Sequence, residues 1–387
     1  MSQTTLEDIE RRARDGDADA QYVLAGVMAQ RRQGDIARRL IESAAAQGHA
    51  DALFTLAGAI LTKTEASAEE RPRALNFLRQ ARAKGSASAL RLLAALTASD
   101  LVDGEGWSDA LALMREACER GDPAALREIA TILFVVGEDD ADAGALLCAA
   151  AENDAIAGAI IGRRTERGRQ TRPGRVDFNA AFAKLAGPDK PAAAETVSDR
   201  PRAVLFRRFL RPEICDHLMA TAGPRLRREQ VLGFDGQRRT HPHRTSTGAI
   251  IGFGFADMPS VYAGREMARL AGLPYRHGEP ISILRYRQGQ EYRIHYDFLG
   301  PNDPDLAAHG QRLKTALLYL NEGYEGGETH FIAPDLRFSG VTGDILVFDN
   351  VGADGEPDFK SRHAGLEIRG GEKWLASLWL RDRPFSG

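Results

Sequence analysis

Two rhythms of apolar positions divide the chain. Up to residue 165, apolar residues recur at helical spacing within alanine-rich stretches such as Ile36-Ala-Arg-Arg-Leu-Ile-Glu-Ser-Ala-Ala-Ala-Gln47. The stretches also repeat. Gly16-Asp-Ala-Asp-Ala-Gln-Tyr-Val-Leu-Ala25 returns as Gly48-His-Ala-Asp-Ala-Leu-Phe-Thr-Leu-Ala57, as Gly85-Ser-Ala-Ser-Ala-Leu-Arg-Leu-Leu-Ala94 and as Gly121-Asp-Pro-Ala-Ala-Leu-Arg-Glu-Ile-Ala130, with a degenerate copy from Asn153. The starts lie 32, 37, 36 and 32 residues apart. Each unit reads as a helix, a glycine-centred stop and a second helix. Small residues let paired helices approach closely, and stacking buries faces that one unit cannot bury alone. Residues 1–165 are therefore predicted to form an α-solenoid of helix pairs.

The helical rhythm then breaks. Arg163-Arg-Thr-Glu-Arg-Gly-Arg-Gln-Thr-Arg-Pro-Gly-Arg175 is basic and interrupted by Gly and Pro, and reads as a solvated connector. Residues 166–198 are predicted to be a linker with one short helix over 179–186. From Ala203 onward the apolar pattern shortens. Val204–Leu210 reads as a strand, and Pro212–Ala220 as a helix with proline in its first turn. Another helix is predicted over Gly264–Leu270. Strands are predicted at Ser282–Tyr286, Thr315–Leu320, Thr329–Ile332, Ile345–Phe348 and Leu375–Leu380, separated by clusters of Gly, Asn, Asp and Pro. Many short strands with two packing helices predict a double-sheet jelly roll over residues 199–387. The fold class is thus multidomain, α followed by β.

Composition narrows the partners. At 387 residues the chain exceeds one ordinary core. A net charge of −3 gives no electrostatic case for nucleic acid or an anionic membrane. Cys118, Cys148 and Cys215 are scattered and odd in number, which argues against a disulfide framework or a cysteine-ligated zinc. The opening Met1-Ser-Gln-Thr-Thr-Leu-Glu-Asp8 lacks the basic start and apolar core of a signal peptide. No apolar run approaches the roughly 20 residues that span a bilayer. A cytoplasmic location is expected.

The candidate chemistry lies in the second half. His295 and Asp297 stand two apart in Glu291-Tyr-Arg-Ile-His-Tyr-Asp297, a stretch with strand character, so both face one side. His363 can add a third ligand from a neighbouring strand. Two imidazoles and one carboxylate on one face of a metal leave the other face open, the arrangement of non-haem Fe(II) oxygenases. Other polar residues read more plainly. His330 should point away from the side that Thr329 faces, and Trp374 should pack in the core on the far side of Lys373's strand. His241 and His243 lack a matching carboxylate and read as loop residues, and His49 as a helix-terminus residue.

The ordered motifs carry a resemblance. They run Arg244-Thr-Ser246, then Glu279 through Tyr286, Gly289 and Tyr292 to His295-Tyr-Asp297. Thr315-Ala-Leu-Leu-Tyr-Leu-Asn321, Glu325-Gly-Gly-Glu-Thr329-His-Phe331, Gly343-Asp-Ile-Leu-Val-Phe348-Asp-Asn350 and His363 through Lys373-Trp374 to Trp379 follow. Residues from about 200 to 383 thereby resemble the prolyl 4-hydroxylase branch of the 2-oxoglutarate/Fe(II) dioxygenases. The resemblance implies Fe(II), 2-oxoglutarate and O2, with ascorbate as a further candidate cofactor. It implies His295, Asp297 and His363 as the iron ligands. Lys373, ten residues after His363, matches the cation that pairs with the distal carboxylate of 2-oxoglutarate. Tyr286 and Thr329 match positions that hydrogen-bond the same group, Trp379 an aromatic position lining the pocket, and Tyr292 a pocket wall. Arg244 matches a position near the substrate groove. The segment 233–246 reads as a mobile loop over that groove, with 298–312 as the opposite rim.

The implied reaction is oxidative decarboxylation of 2-oxoglutarate coupled to hydroxylation of a C–H bond. A protein or peptide is the expected substrate, with proline the leading target. Asp297 argues against halogenation, since related halogenases lack that carboxylate. A lysine rather than an arginine pair after His363 argues against nucleic-acid demethylation. Hydroxylation of another residue or a small molecule, or a binding scaffold with a silent oxygenase fold, are the alternatives. The first half resembles Sel1-like repeats, relatives of the tetratricopeptide family, which implies a surface that recruits the substrate or a partner, or else a scaffold for the catalytic half.

Overall fold

A computed structural model describes residues 5–62, 70–137, 140–186, 192–228, 231–232, 238–239 and 244–385. The first half folds as five antiparallel helix pairs: α1 (Leu6–Arg14) with α2 (Ala18–Gln30), α3 (Gly34–Ala46) with α4 (Ala50–Leu61), α5 (Glu70–Ala83) with α6 (Ala87–Ala98), α7 (Trp107–Glu119) with α8 (Pro123–Val136), and α9 (Ala141–Ala151) with α10 (Ala155–Glu166). The repeated sequence acts at the turns. Gly16, Gly48, Gly85 and Gly121 all adopt φ between 75° and 94°, which only glycine enters freely. In the second unit the amide of His49 closes back on Ala44 O, completing the helix stop. The residue after each stop caps the next helix. Asp17, His49, Ser86, Asp122 and Asp154 each accept from the backbone N–H three residues on. His49 does so through Nδ1, so it is a helix-terminus residue as its sequence position indicates.

The basic segment, which begins in the last turn of α10, is not a solvated connector at its start. Arg164 is 1% exposed and pairs with Glu213, while Arg163 and Arg167 both reach Asp216. The charge pattern showed the cations but not their partners. Beyond it, α11 (Phe178–Leu185) packs on α7 and α8.

Among the described residues the second half comprises α12 (Pro212–Ala222), α13 (Met258–Ala271), α14 (Pro304–His309) and sixteen strands. In chain order these are β1 (Glu195–Asp199), β2 (Arg202–Phe206), β3 (Arg227–Arg228), β4 (Val231–Leu232), β5 (Arg238–Arg239), β6 (Thr247–Ile251), β7 (Ile281–Arg287) and β8 (Tyr292–His295). Then follow β9 (Arg312–Tyr319), β10 (Glu325–Gly326), β11 (Thr329–Phe331), β12 (Leu336–Phe338), β13 (Ile345–Asp349), β14 (His363–Gly365), β15 (Ile368–Gly370) and β16 (Glu372–Arg381). β2 stops short of the expected Leu210 because Arg208 turns to φ 43°. α13 begins earlier than expected, because Asp257 and Ser260 form a capping box.

The eight-stranded sheet runs β1-β2-β13-β9-β16-β7-β6-β3 and the facing four-stranded sheet β12-β11-β14-β8, all antiparallel. From β7 to β16 the chain crosses repeatedly between these sheets, which makes a double-stranded β-helix. Side-chain alternation sorts the two faces of the large sheet. Ile283, Leu318, Val347 and Leu378 point to the helices, while Leu284, Leu317, Leu346 and Leu375 point into the barrel.

The helical layer behind this sheet joins the two halves. α6 and α8 pack on α13, α8 and α10 on α12, and α4 on the turn at 253–255. A Cβ at Gly254 would lie 2.5 Å from Thr62 Cγ2, so glycine is required for that approach. Glu128, fully buried, accepts from Arg91 with one oxygen and from the Met258 amide at the start of α13 with the other. One apolar core runs from the repeats through α12 and α13 onto the sheet. Among the described residues no helix is long and apolar enough to cross a membrane.

Candidate active site

Strand pairing brings the predicted ligands together. His295 ends β8, His363 begins β14, and the two stand opposite each other in the antiparallel register. Asp297 follows just beyond β8. One ligand atom from each residue lies within 4.8 Å of the others. His295 Nε2 is 3.6 Å from Asp297 Oδ1, and His363 Nε2 is 3.7 Å from Asp297 Oδ2. Both rings are held by the chain itself. His295 Nδ1 bonds to Arg293 O at 2.7 Å and His363 Nδ1 to Ser361 O at 2.9 Å. A carbonyl only accepts, so each Nδ1 carries the proton and each Nε2 offers a lone pair to the centre.

Electrostatics favour the ligand forms. Burial alone would raise the Asp297 carboxyl, but the rings of His363 and His295 and the Arg312 guanidinium outweigh it and hold it well below the usual carboxylate range. Burial, aided by His295, lowers His363 to about 4, so this ring is neutral near pH 7. Two imidazoles and one carboxylate, with no thiolate, are a donor set that fits ferrous iron.

The cavity beside these ligands is lined by alternate residues of three neighbouring strands. Lys373, Leu375, Ser377 and Trp379 come from β16, Leu284 and Tyr286 from β7, and Leu317 from β9. Lys373 is 3% exposed and donates to Gly327 O at 2.7 Å. Burial lowers its ammonium to about 7, against the opposing pull of Glu328. Thr329 faces the same space, its hydroxyl 2.7 Å from that of Tyr319. The Trp379 indole lies under the Arg312 guanidinium at 4.4 Å, and its buried Nε1 has no hydrogen-bond partner among the described residues. Tyr292 stacks on His295 with ring centroids 3.6 Å apart, and burial raises its phenol to about 12. Arg244 forms a β-bridge to Tyr292, covers its ring at 4.9 Å and lines the cavity.

The residues set aside from the sequence lie elsewhere. His330 bonds Asp335 away from the cavity, and Trp374 is buried on the helix side with its Nε1 on Glu372. His241, His243 and most of the 233–246 segment fall outside the described residues. The 298–312 segment carries α14.

Sequence reasoning missed three buried polar residues. Tyr319 bonds Thr329, Thr315 bonds Asp297 Oδ2 at 2.7 Å, and Asn350 bonds Thr315 at 2.9 Å. Thr315 and Tyr319 share the barrel-facing parity of β9 with Leu317, which is the signal that could have found them.

Comparison with known proteins places this architecture. Residues 281–381 match the 2OG-Fe(II) oxygenase superfamily. Over 207 residues the chain is 34% identical to prolyl 4-hydroxylase 1 of Arabidopsis thaliana, an alignment spanning 50% of this chain and 73% of that one. The chain belongs to this superfamily, in its prolyl 4-hydroxylase group. It is a 2-oxoglutarate/Fe(II)-dependent dioxygenase. Among solved structures the dioxygenase is similar to the 2OG complex of the viral collagen prolyl hydroxylase of Paramecium bursaria Chlorella virus-1, at 24% identity and TM-score 0.36, covering 46% of this chain and 94% of that one. It is also similar to a Sel1 repeat protein of Oxalobacter formigenes, at 18% identity and TM-score 0.35, covering 47% and 85% of the two chains.

Proposed function

We propose that this dioxygenase hydroxylates a residue of a protein or peptide, with proline the leading target. The observation that carries the reading is the convergence of His295, Asp297 and His363 beside a cavity that ends in the buried Lys373. When bound, Fe(II) with 2-oxoglutarate supplies the oxidising power, consuming O2 and releasing succinate and CO2. His295, Asp297 and His363 hold the metal. Lys373 pairs with the distal carboxylate of 2-oxoglutarate, Tyr286 and Thr329 bond the same group, and Trp379 and Tyr292 wall the cavity. Its apolar lining by Leu284, Leu317 and Leu375 limits water around those charges. Arg244, in the cavity wall beside Tyr292, contacts the polypeptide. The 34% identical Arabidopsis relative named as a prolyl 4-hydroxylase supports proline as the target.

The repeats serve first as a brace. α4, α6, α8 and α10 are covered by α12, α13 and the 253–255 turn, so those faces are taken by the chain itself. Recruitment of a polypeptide would fall to the first units, where Val23 is 50% and Ile36 39% exposed. Deleting the repeats would uncover α12 and α13, so Val23→Glu with Ile36→Glu is the cleaner test of recruitment. Free Cys118, Cys148 and Cys215 fit a reducing cytoplasm.

The decisive experiment is intact-mass screening of candidate polypeptides with Fe(II), 2-oxoglutarate and ascorbate. A gain of one oxygen on a proline supports the proposal. A gain on another residue or on a small molecule replaces the target. Succinate formation with no modified acceptor across the screen would remove the polypeptide assignment.

A further inference from the structure

Asp297 is held by a two-step relay that enters the site from behind. Its Oδ2 accepts from Thr315 Oγ1 at 2.7 Å, and Thr315 Oγ1 accepts from Asn350 Nδ2 at 2.9 Å. Thr315 and Asn350 are both 0% exposed, and Asp297 is 5%. The direction of the relay follows from proton counting. Ionised Asp297 can only accept, and the threonine hydroxyl has one proton to give. If Asn350 presented its carbonyl, two acceptors would compete for that proton. With its NH2 group forward, Asn350 fills the acceptor side of Thr315 and aims the hydroxyl proton at Asp297. The asparagine is itself fixed at both backbone groups, its N–H on Leu313 O at 2.8 Å and its C=O on the Asp358 amide at 3.0 Å.

The geometry points to Thr315 and Asn350 as positioning residues that keep Asp297 a one-oxygen ligand. The reading rests on the metal assignment proposed above. A carboxylate can grip a metal with one oxygen or two. Oδ2 lies 3.7 Å from His363 Nε2 and Oδ1 3.6 Å from His295 Nε2, but the bond from Thr315 draws electron density from Oδ2 and leaves Oδ1 the stronger donor for the metal. A facial set of two imidazoles and one carboxylate oxygen leaves three of six positions open, enough for a two-point keto acid and for O2. A second carboxylate oxygen would take one of them.

The test uses the full chain and Co(II), whose visible absorption reports both binding and coordination number, with no polypeptide present. Thr315→Val removes the hydroxyl at nearly constant shape, and Thr315→Ser keeps it. Outer partners of ligands are typically worth about ten- to a hundredfold in metal affinity. Thr315→Val is expected to bind Co(II) about ten- to a hundredfold more weakly and with an altered absorption envelope. Thr315→Ser should return to within about threefold of the parent with the parent's spectrum. Asn350→Ala should show a smaller loss in the same direction, and carries the test if Thr315→Val does not fold. Parent-like affinity and spectrum in Thr315→Val, or in Asn350→Ala should the valine variant not fold, overturn the relay alone. A serine variant as weak as the valine variant overturns it too. A parent protein that binds no Co(II) overturns both the relay and the metal assignment beneath it.

Discussion

Lys373 and Tyr286 stand directly opposite each other in the β16–β7 pairing and turn their side chains into the same cavity. The pairing sets a buried lysine beside a buried phenol, and in the proposed role the two together receive one carboxylate. Lys373→Ala would leave that carboxylate without its cation, at a cost of about 2–5 kcal/mol. The variant should bind 2-oxoglutarate at least roughly thirtyfold more weakly. Tyr286→Phe removes one bond to a charged group and should weaken it about tenfold. Calorimetry with the Mn(II)-loaded protein measures both. Wild-type affinity in Lys373→Ala would dismiss Lys373 as the anchor.

In the proposed role, the same lysine should make co-substrate binding depend on pH. Burial lowers its pKa from the usual 10.5 to about 7. Below pH 7 the free enzyme already carries the charge, so binding needs no proton. Above pH 7 the free enzyme carries neutral lysine, and pairing with a carboxylate restores the proton. Affinity should therefore fall about tenfold per pH unit as pH rises above 7, with uptake of one proton. Calorimetry at pH 8 in buffers of different ionisation enthalpy reads that uptake. The dependence should vanish in Lys373→Ala, whereas a flat profile in the parent protein would contradict a neutral buried lysine.

Metal binding should stabilise the fold through linkage. A ligand at a hundredfold its Kd adds about 2.7 kcal/mol if the unfolded chain does not bind it. Because His295 and His363 face each other on β8 and β14, an ion bound there would tie two strands of the small sheet. Thermal unfolding with Co(II) should shift upward, and a chelator should reverse the shift. His295→Ala should abolish it. An equal shift in that variant would place the ion somewhere else.

The site was legible wherever it depended on spacing along one strand. The spacing of His295 and Asp297 needed only local sequence, although β8 ends at His295 and Asp297 lies just beyond it. Lys373 and Trp379 came from the family resemblance and share one parity of β16. The same alternation assigned Trp374 to the far side, and it lies in the core. What spacing could not supply is partnership across strands. Thr315 reaches Asp297 because β9 lies against β16 with Thr315 opposite Trp379, a register set by packing of the whole sheet. Asn350 is one more polar residue after a strand until its amide is seen on Thr315. The repeats were legible from their glycines, yet the surface they cover was not. That surface depends on α12 and α13, which are distant in sequence from the repeats they fill.

Arg164 makes that contact testable. It belongs to the repeat half, is 1% exposed, and lies on Glu213 of α12, itself 2% exposed, with its guanidinium 3.8 Å from the Phe134 ring centroid. Removing one partner of a buried pair strands the other charge and costs about 3–5 kcal/mol, a large share of the roughly 5–15 kcal/mol that holds most domains folded. Arg164→Met should therefore lower the urea midpoint sharply. Arg164→Met with Glu213→Leu should recover most of the loss, because no unpaired charge remains. If the repeats only adjoined the barrel, unfolding would separate into two transitions and Arg164→Met would disturb neither strongly. One core running from the repeats through α12 and α13 to the sheet predicts a single transition instead, with helix loss in the repeats and tryptophan exposure at Trp374 tracking together.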